Sequence, residues 1–376
     1  MNEHINLLIT GDVLIEKKID INYSQEIKKL ISCHNYFCCN LEGPIATPLQ
    51  KKSLDDDCKV CQNKESIDGI IKAGINIVSL ANNHIMNYDI LGLKNTINYL
   101  EEKNVSYFGA GLTWENAYRP IILNNSNVIV GLINIADPQY GTCNQYGGRG
   151  YADCFDTKVY RIIQQLVEKC DHVIVVCHAG LEDVEVPLPE WRDNYKNFID
   201  MGVSCVIAHH PHVLQGWEDY GNGRIYYSLG NFIWESDKVK SCMNPTIMVS
   251  LQISKENIAY KEYPIKYDSG NISLIYEKNV YRHMQYLCEI LNNEDEYIKL
   301  VNAGCQLIYN RWYKNKFFSL VGQSPWDSFK HIIKNIVMLF LYGFKDNDRK
   351  IWLFLESNTM RYVLKRIILE RNRWHQ

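Results

Sequence analysis

Between residues 5 and 208, short apolar runs alternate with segments of helical periodicity. In the segment 90–103, apolar residues recur at 90, 91, 93, 97 and 100, which places them on one face of a helix. Strands that alternate with helices need crossover connections, and these favour parallel pairing. The pattern therefore predicts an α/β fold with a largely parallel sheet. The predicted strands span residues 5–10, 36–40, 75–80, 128–135, 173–177 and 203–207, and the predicted helices span residues 25–32, 66–73, 90–103, 157–169 and 190–201.

After residue 212 the pattern changes. Segments 225–229, 246–253 and 258–265 have the character of strands, and short polar turns such as 221–223 join strands here. Short turns favour antiparallel pairing. From about residue 280 onward helical periodicity takes over. We therefore divide the chain into a domain at residues 1–275 and a helical C-terminal region at residues 276–376.

Composition narrows the class of protein. A formal net charge of -3 argues against a protein that binds nucleic acid mainly by electrostatics. The 13 cysteines are odd in number and lack the spacing of a disulfide framework, which favours a reducing compartment. The apolar runs at 5–9 and 336–344 are too short for a signal peptide or a membrane span. We therefore expect a cytoplasmic protein without a membrane span.

Side chains that bind metal ions follow five of the predicted strands. Carboxylate, amide and imidazole groups are the ligands of hard and borderline divalent ions. Three imidazoles within four positions rarely serve packing, and Pro211, which cannot continue a ladder, predicts that they lie in a loop. If the strands run parallel, all these groups share one sheet edge. The residues concerned are Asp12, Glu42, Asn83 with His84, His178, and the group His209, His210 and His212.

Six motifs occur in an order that resembles the CapA (PgsA-like) family, which is named for capsule and poly-γ-glutamate biosynthesis. The resemblance covers about residues 5–268 and implies a fold similar to calcineurin-like metallophosphoesterases. That fold is a two-sheet sandwich flanked by helices, here with a helical C-terminal extension. The motifs are Gly11-Asp12, Asn40-Leu41-Glu42-Gly43-Pro44, Asn82-Asn83-His84, His178-x-Gly180-x-Glu182, His209-His210-Pro211-His212 and Tyr227-Ser228-Leu229-Gly230-Asn231-Phe232.

The resemblance also implies a centre of two divalent ions, of manganese, zinc or iron. Asp12 and His212 would hold one ion, and Glu42 would bridge to the second. The second ion would be held by Asn83, His178 and His210. Spacing alone leaves open which two of His209, His210 and His212 coordinate.

Other residues receive roles by the same analogy. His84 would be the general acid that protonates a leaving group. Ser228 and Asn231 would line the pocket, although a role in bracing the backbone explains them as well. Glu182 and Arg192 would orient ligands or substrate.

The chain departs from the family pattern at several positions. Leu14 stands where the superfamily has a second histidine, and Asn87 stands where an aspartate is common. Ala179 and Ala208 replace an expected tryptophan and glycine. We expect a metal-dependent hydrolase of a capsule-type polymer or its precursor. The alternative is a non-catalytic accessory subunit that binds an anionic polymer or other capsule-synthesis proteins.

The C-terminal region ends in a basic amphipathic segment. Such a helix either lies on an anionic membrane or packs on its own domain with a solvated basic face, and we favour packing. Docking of capsule-synthesis proteins on residues 276–376 stays open. The basic residues are Arg361, Lys365, Arg366, Arg371 and Arg373.

Overall fold

The computed structural model describes residues 4–46, 59–139, 141–143, 148–237, 245–313 and 357–373. The strands are β1 (Ile5–Ile15), β2 (Asn22–Tyr23), β3 (Tyr36–Leu41), β4 (Ile77–Ser79), β5 (Ser106–Phe108), β6 (Ala110–Gly111), β7 (Ile121–Asn124), β8 (Ile129–Ala136), β9 (Thr142–Cys143), β10 (Gly150–Ala152), β11 (His172–His178), β12 (Cys205–His209), β13 (Trp217–Tyr220), β14 (Gly223–Tyr226), β15 (Asn231–Glu235), β16 (Thr246–Ile253), β17 (Ile258–Asp268) and β18 (Asn271–Leu274). The helices are α1 (Gln25–Ser32), α2 (Lys64–Lys72), α3 (Asp89–Glu102), α4 (Trp114–Ala117), α5 (Thr157–Lys169), α6 (Pro189–Asp200), α7 (Lys278–Glu289), α8 (Glu294–Ile308) and α9 (Asn358–Arg373).

Two large sheets face each other. Within the described residues, the first sheet has the order β2-β18-β17-β16-β1-β3-β4-β5, with β15 also paired to β1. The second has the order β13-β14-β12-β11-β8-β7, and a small sheet contains β6, β10 and β9. Leu7 and Ile9 of the first sheet share one core layer with Ile174 and Val176 of the second. This layer between the sheets makes the fold a sandwich.

Helices cover both outer faces of the sandwich. Alternate residues of a strand point to opposite faces, so Val173, Val175 and Cys177 of β11 point outward and pack with α5, α6 and α8. On the other side, α1, α2 and α3 cover the outer face of the first sheet. Strands buried on both faces need continuous apolar runs, which explains the pattern in the sequence. The two-sheet sandwich with flanking helices, together with the helices of the C-terminal part, confirms the predicted α/β class and two-sheet architecture.

The strand pairing corrects two expectations. The predicted parallel strands divide between two sheets, with β1, β3 and β4 in one and β8, β11 and β12 in the other. β16 and β17 pair antiparallel as predicted, and so do β13 and β14 across the polar turn at 221–222. On its other side, β14 pairs parallel with β12, which places it in the opposite sheet. Periodicity shows which face of a strand is apolar, but it carries no information on which sheet the strand joins.

Helices α8 and α9 of the C-terminal region pack on the outer layer of the second sheet. Val363 and Ile367 of α9 belong to the same core cluster as α6 and α8, and Arg366 pairs with Glu190 of α6 at 3.0 Å. This packing agrees with the favoured interpretation of the basic segment. The apolar run at 336–344 lies outside the described residues. Within the described residues, none of the helices combines the length and apolar character that crossing a membrane requires.

A buried carboxylate fixes the start of α9. Asp137 follows β8 on its outward face, and its oxygens accept hydrogen bonds from the Ser357 hydroxyl at 3.2 Å, the Asn358 N–H at 3.2 Å and the Thr359 N–H at 3.3 Å. These bonds satisfy donors that a helix N-terminus otherwise leaves without a partner. Burial raises the pKa of Asp137 to about 7, although these bonds oppose the shift.

We expect Asp137→Ala to lower the free energy of unfolding by about 1–3 kcal/mol, because it leaves buried donors of α9 unsatisfied. Asp137→Asn keeps an acceptor oxygen and is expected to lose less. Urea unfolding of both variants measures the difference. Equal stability of wild type and Asp137→Ala would show that this contact does not hold the helix.

Candidate metal centre

The predicted ligands lie on the inward faces of the two sheets, at the shared end where the parallel strands finish. On β11 and β12, His178 and His209 continue the inward series of Ile174 and Ile207 and pair in register. In the first sheet, Asp12 of β1 is in register with Asn40 of β3. The expected common edge is therefore the end of a sandwich, to which both sheets contribute.

Asp12, Glu42 and His178 form the centre of the site. One ligand atom from each lies within 4.8 Å of the others, and all three residues are buried. The Nε2 atom of His178 lies 3.4 Å from Glu42 Oε1 and 3.2 Å from Asn83 Oδ1. The structure thus brings a carboxylate, an imidazole and an amide oxygen from different strands to one point, as metal binding requires.

The histidine-rich loop adopts a strained backbone. His210 has a φ of 96° and His212 a φ of 59°, values that non-glycine residues rarely adopt. Such strain concentrates at functional sites. The Nδ1 atom of His212 lies 3.2 Å from Asp12 Oδ2 and 3.0 Å from Asn231 Oδ1. His209 corrects the prediction, since it is the last residue of β12 and not part of the loop.

Asn83 and His84 lie in a turn at the mouth of the site. Both are partly exposed, whereas Asp12 and Glu42 are fully buried. The Nδ1 atom of His84 lies 2.9 Å from Asn87 Oδ1, which also accepts the Val60 N–H at 3.0 Å. Because the Asn87 oxygen is an acceptor, Nδ1 of His84 carries a proton, and Nε2 is the nitrogen left to act on a substrate.

The pKa values suit a cation site. Burial opposes ionisation of Asp12, but the imidazoles of His209 and His212 hold its pKa well below the usual range. Burial, with the charge of Asp12, raises the pKa of Glu42 to about 7. Burial lowers the pKa of His178 well below its usual value, so this imidazole is neutral at pH 7. Neutral imidazole is the form that binds a metal ion.

His210 and His212 differ in charge. Burial, with the neighbouring His178, lowers the pKa of His210 to about 3. Burial also works against a charged His212, but the hydrogen bond and charge of Asp12 outweigh it and raise its pKa to about 9. His210 is therefore neutral at pH 7. His212 is an imidazolium paired with Asp12, and it must lose a proton before it can bind an ion.

Buried polar atoms that lack a hydrogen-bond partner show whether the site suits a divalent ion. Among the described residues, Glu42 Oε1, His210 Nδ1 and both ring nitrogens of His209 make no contact of hydrogen-bond geometry. Two of these atoms still lie near a site residue, His209 Nδ1 at 3.3 Å from Asp12 Oδ1 and Glu42 Oε1 at 3.4 Å from His178 Nε2. Native proteins rarely leave buried polar atoms unsatisfied, and ions commonly account for the exceptions. The donor set therefore fits a divalent ion, which Asp12, Glu42 and His178 would hold with Asn83, His210 and His212 around them.

The predicted substrate-binding residues lie in different places. Glu182 is at the mouth, with Oε1 3.9 Å from His210 Nε2. Ser228 is buried, and its hydroxyl accepts the Gly230 N–H at 3.2 Å, which favours backbone bracing. Asn231 orients His212. Arg192 is not brought to the cluster, because two 2.7 Å hydrogen bonds tie its guanidinium to Glu218.

Sequence reasoning missed Asn40 and Asp137. Asn40 lies two residues before Glu42, and side chains two residues apart along a strand point to the same face. This alternation could have identified Asn40 as a residue that faces the site. Asp137 also follows a predicted strand, as the candidate ligands do. Its side chain, however, points to the outer face of the sheet, where it contacts the start of α9. At Leu14, the position of the missing histidine, the side chain is buried in a small apolar cluster with Val60 and Trp234.

Two curated proteins are similar in sequence to this chain. The capsule biosynthesis protein CapA of Bacillus anthracis is 26% identical over 249 residues, which are 62% of this chain and 61% of that protein. The PGA biosynthesis protein CapA of Bacillus subtilis (strain 168) is 27% identical over 221 residues, 56% of each. The chain thus matches less than two thirds of either relative's length. The crystal structure of 5′-nucleotidase from Candida albicans SC5314 has a TM-score of 0.41 and 10% identity, and the match covers 81% of this chain and 58% of that one.

A family model also matches residues 6–236, which is more than half of the chain and includes every candidate ligand. The family model is described as a bacterial capsule synthesis protein, PGA_cap. The chain therefore belongs to the PGA_cap family of bacterial capsule synthesis proteins.

Proposed function

We propose that this chain is a metal-dependent hydrolase that acts on a capsule-type anionic polymer, such as poly-γ-glutamate or a polysaccharide, or on its precursor. The observation that carries the proposal is the buried cluster of Asp12, Glu42 and His178, which opens to solvent at Asn83 and His84. The names of the two Bacillus relatives support a capsule-related role.

The residues divide into binding and proton-transfer roles. A divalent ion held by Asp12, Glu42 and His178 would supply hydroxide at neutral pH and would neutralise charge in an anionic transition state. Asn231 orients the His212 imidazole, and Asn87 orients that of His84. His84 would act through Nε2, which donates to the leaving group of a substrate when the imidazole is protonated on both nitrogens.

One observation favours the accessory alternative. Leu14 fills its position with apolar packing where a metal-binding histidine would stand, so the Asp12 half of the site has fewer ligands. A protein with a reduced centre would bind an anionic polymer without cleaving it.

The test is hydrolysis by the full chain with Mn²⁺ and after chelation. The substrates are p-nitrophenyl phosphate mono- and diesters, and poly-γ-glutamate followed by size-exclusion chromatography. We expect metal-dependent cleavage of at least one substrate. Background rates on every substrate, with Mn²⁺ bound and with polymer co-sedimenting, would favour the accessory role.

We expect His84→Gln to lower the rate constant of hydrolysis about 100-fold, because general acid catalysis is lost. Its Mn²⁺ affinity should stay that of wild type, since His84 contacts Asn87 and not the ion cluster. Titration calorimetry checks the affinity. An unchanged rate would remove His84 from the mechanism.

A further inference from the structure

Asn40 is a fully buried amide at the centre of the candidate metal site. Its Nδ2 atom lies 2.7 Å from Asp12 Oδ1, 2.6 Å from Glu42 Oε2 and 3.3 Å from His178 Nδ1. These acceptors belong to the same three residues that approach within 4.8 Å to form the ligand cluster. The amide NH₂ group therefore stands where positive charge is needed between two buried carboxylates.

The orientation of this amide is fixed by Asn82. The Asn82 Oδ1 atom accepts the backbone N–H groups of Gly43 and His84, each at 3.2 Å, so its Nδ2 atom must point the other way. That atom donates to Asn40 Oδ1 at 3.3 Å and to Leu41 O at 2.8 Å. The backbone N–H groups of Gly43 and His84 thus orient Asn82. Asn82 in turn holds Asn40 with its Oδ1 atom away from the carboxylates and its NH₂ group toward them.

We propose that Asn40 is a fixed hydrogen-bond donor that substitutes for a cation in the metal-free site and competes with the ion for Asp12 and Glu42. An ion that binds between the Asp12 and Glu42 carboxylates must displace the Asn40 NH₂ group and break its hydrogen bonds to both carboxylates. Asn40 is thus a positioning residue that lowers metal affinity, not a ligand. This inference rests on the proposed metal-dependent function.

The two roles predict opposite results for Asn40→Ala. If Asn40 competes, its removal frees the carboxylates, and we expect Mn²⁺ to bind about tenfold more tightly or better, because no hydrogen bond to a charged group is broken. If Asn40 is a ligand through Oδ1, the same variant binds Mn²⁺ more weakly. Asn40→Asp replaces the donor with a third carboxylate and is expected to bind most tightly.

The experiment is Mn²⁺ titration calorimetry on the chelator-treated full chain, with thermal melting of the metal-free and Mn²⁺-loaded forms. Metal-free Asn40→Asp should melt below wild type, and Mn²⁺ should raise its melting temperature more. The matched controls are Asn134→Ala and Asn134→Asp, since Asn134 is also buried but its amide hydrogen-bonds to the Ala81 N–H and the Val176 carbonyl and not to a candidate ligand. Both controls should lose stability with unchanged Mn²⁺ affinity.

Each result decides between the explanations. Weaker or unchanged Mn²⁺ binding by Asn40→Ala overturns the inference while the metal centre itself stands. If that variant does not fold, Asn40→Leu decides, because leucine also lacks both the donor and the ligand oxygen but keeps the side-chain volume; weaker or unchanged affinity in it overturns the inference. Absence of binding by wild type and both variants overturns the metal centre together with the inference. Tighter binding by the variants at Asn40, but not by those at Asn134, supports it.

Discussion

His178→Ala is expected to abolish metal-dependent chemistry, with a loss in hydrolysis on the order of 1,000-fold. The imidazole is buried, neutral at pH 7 and within 3.4 Å of a Glu42 oxygen that has no hydrogen-bond partner among the described residues. Without this imidazole, Asp12 and Glu42 would hold an ion with one ligand fewer, and the site would lose the hydroxide supply and charge neutralisation that the ion would provide. Mn²⁺ affinity should fall at least about 100-fold, because even residues that only support a ligand contribute 10- to 100-fold.

The same strand provides the control. His172 begins β11 and His178 ends it, so the two imidazoles lie at opposite ends of the sheet. His172 contacts the Ser204 hydroxyl at 3.0 Å and the Ser254 carbonyl at 2.9 Å. His172→Ala should reduce stability and leave Mn²⁺ binding and hydrolysis intact. Equal effects of the two variants would mean that the strand, and not the ligand, matters.

Gly11→Ala is expected to destabilise the fold by at least about 3 kcal/mol, at the upper end of overpacking penalties. A β-carbon at this position would lie 1.8 Å from the Gly230 carbonyl oxygen, where β15 runs beside β1. The Asp12 N–H also donates to that oxygen at 3.1 Å. The side chain cannot turn away from a backbone atom, so the two strands must separate. Urea unfolding measures the loss.

Gly69→Ala is the matched control. Gly69 lies inside α2, and an added β-carbon there meets nothing within 4 Å. Alanine is a better helix former than glycine, so this variant should gain about 1 kcal/mol. A Gly11→Ala protein as stable as wild type would show that β1 and β15 tolerate wider separation than the structure has.

Much of the fold follows from the sequence because its strands are buried on both faces. The continuous apolar run of Val173–Cys177 predicts β11, and the ligand that follows each run predicts where the site lies. What the sequence does not contain is the assignment of strands to sheets. That choice depends on packing between layers, which joins residues far apart in the chain.

The same limit applies to individual site residues. Arg192 and Glu218 are 26 positions apart, so no local sequence pattern predicts that they form an ion pair. Asp137 and Asn40 have metal-binding chemistry, but strand parity and tertiary partners decide their roles. His209 ends a strand because its backbone continues the register with His178, even though Pro211 follows two residues later. Local rules place the loop, and the neighbouring strand decides where it begins.

The site draws its donors from two separate sheets, so their spacing is set by the apolar layer of Leu7, Ile9, Ile174 and Val176 between them. An ion that binds best at one distance between the sheets must, by thermodynamic linkage, also stabilise the packing of the apolar layer that gives this distance. The affinity for the ion therefore reports on how the interior of the sandwich is packed. Conservative exchanges in that layer, far from the donors, should register as changes in dissociation constant before they register as unfolding.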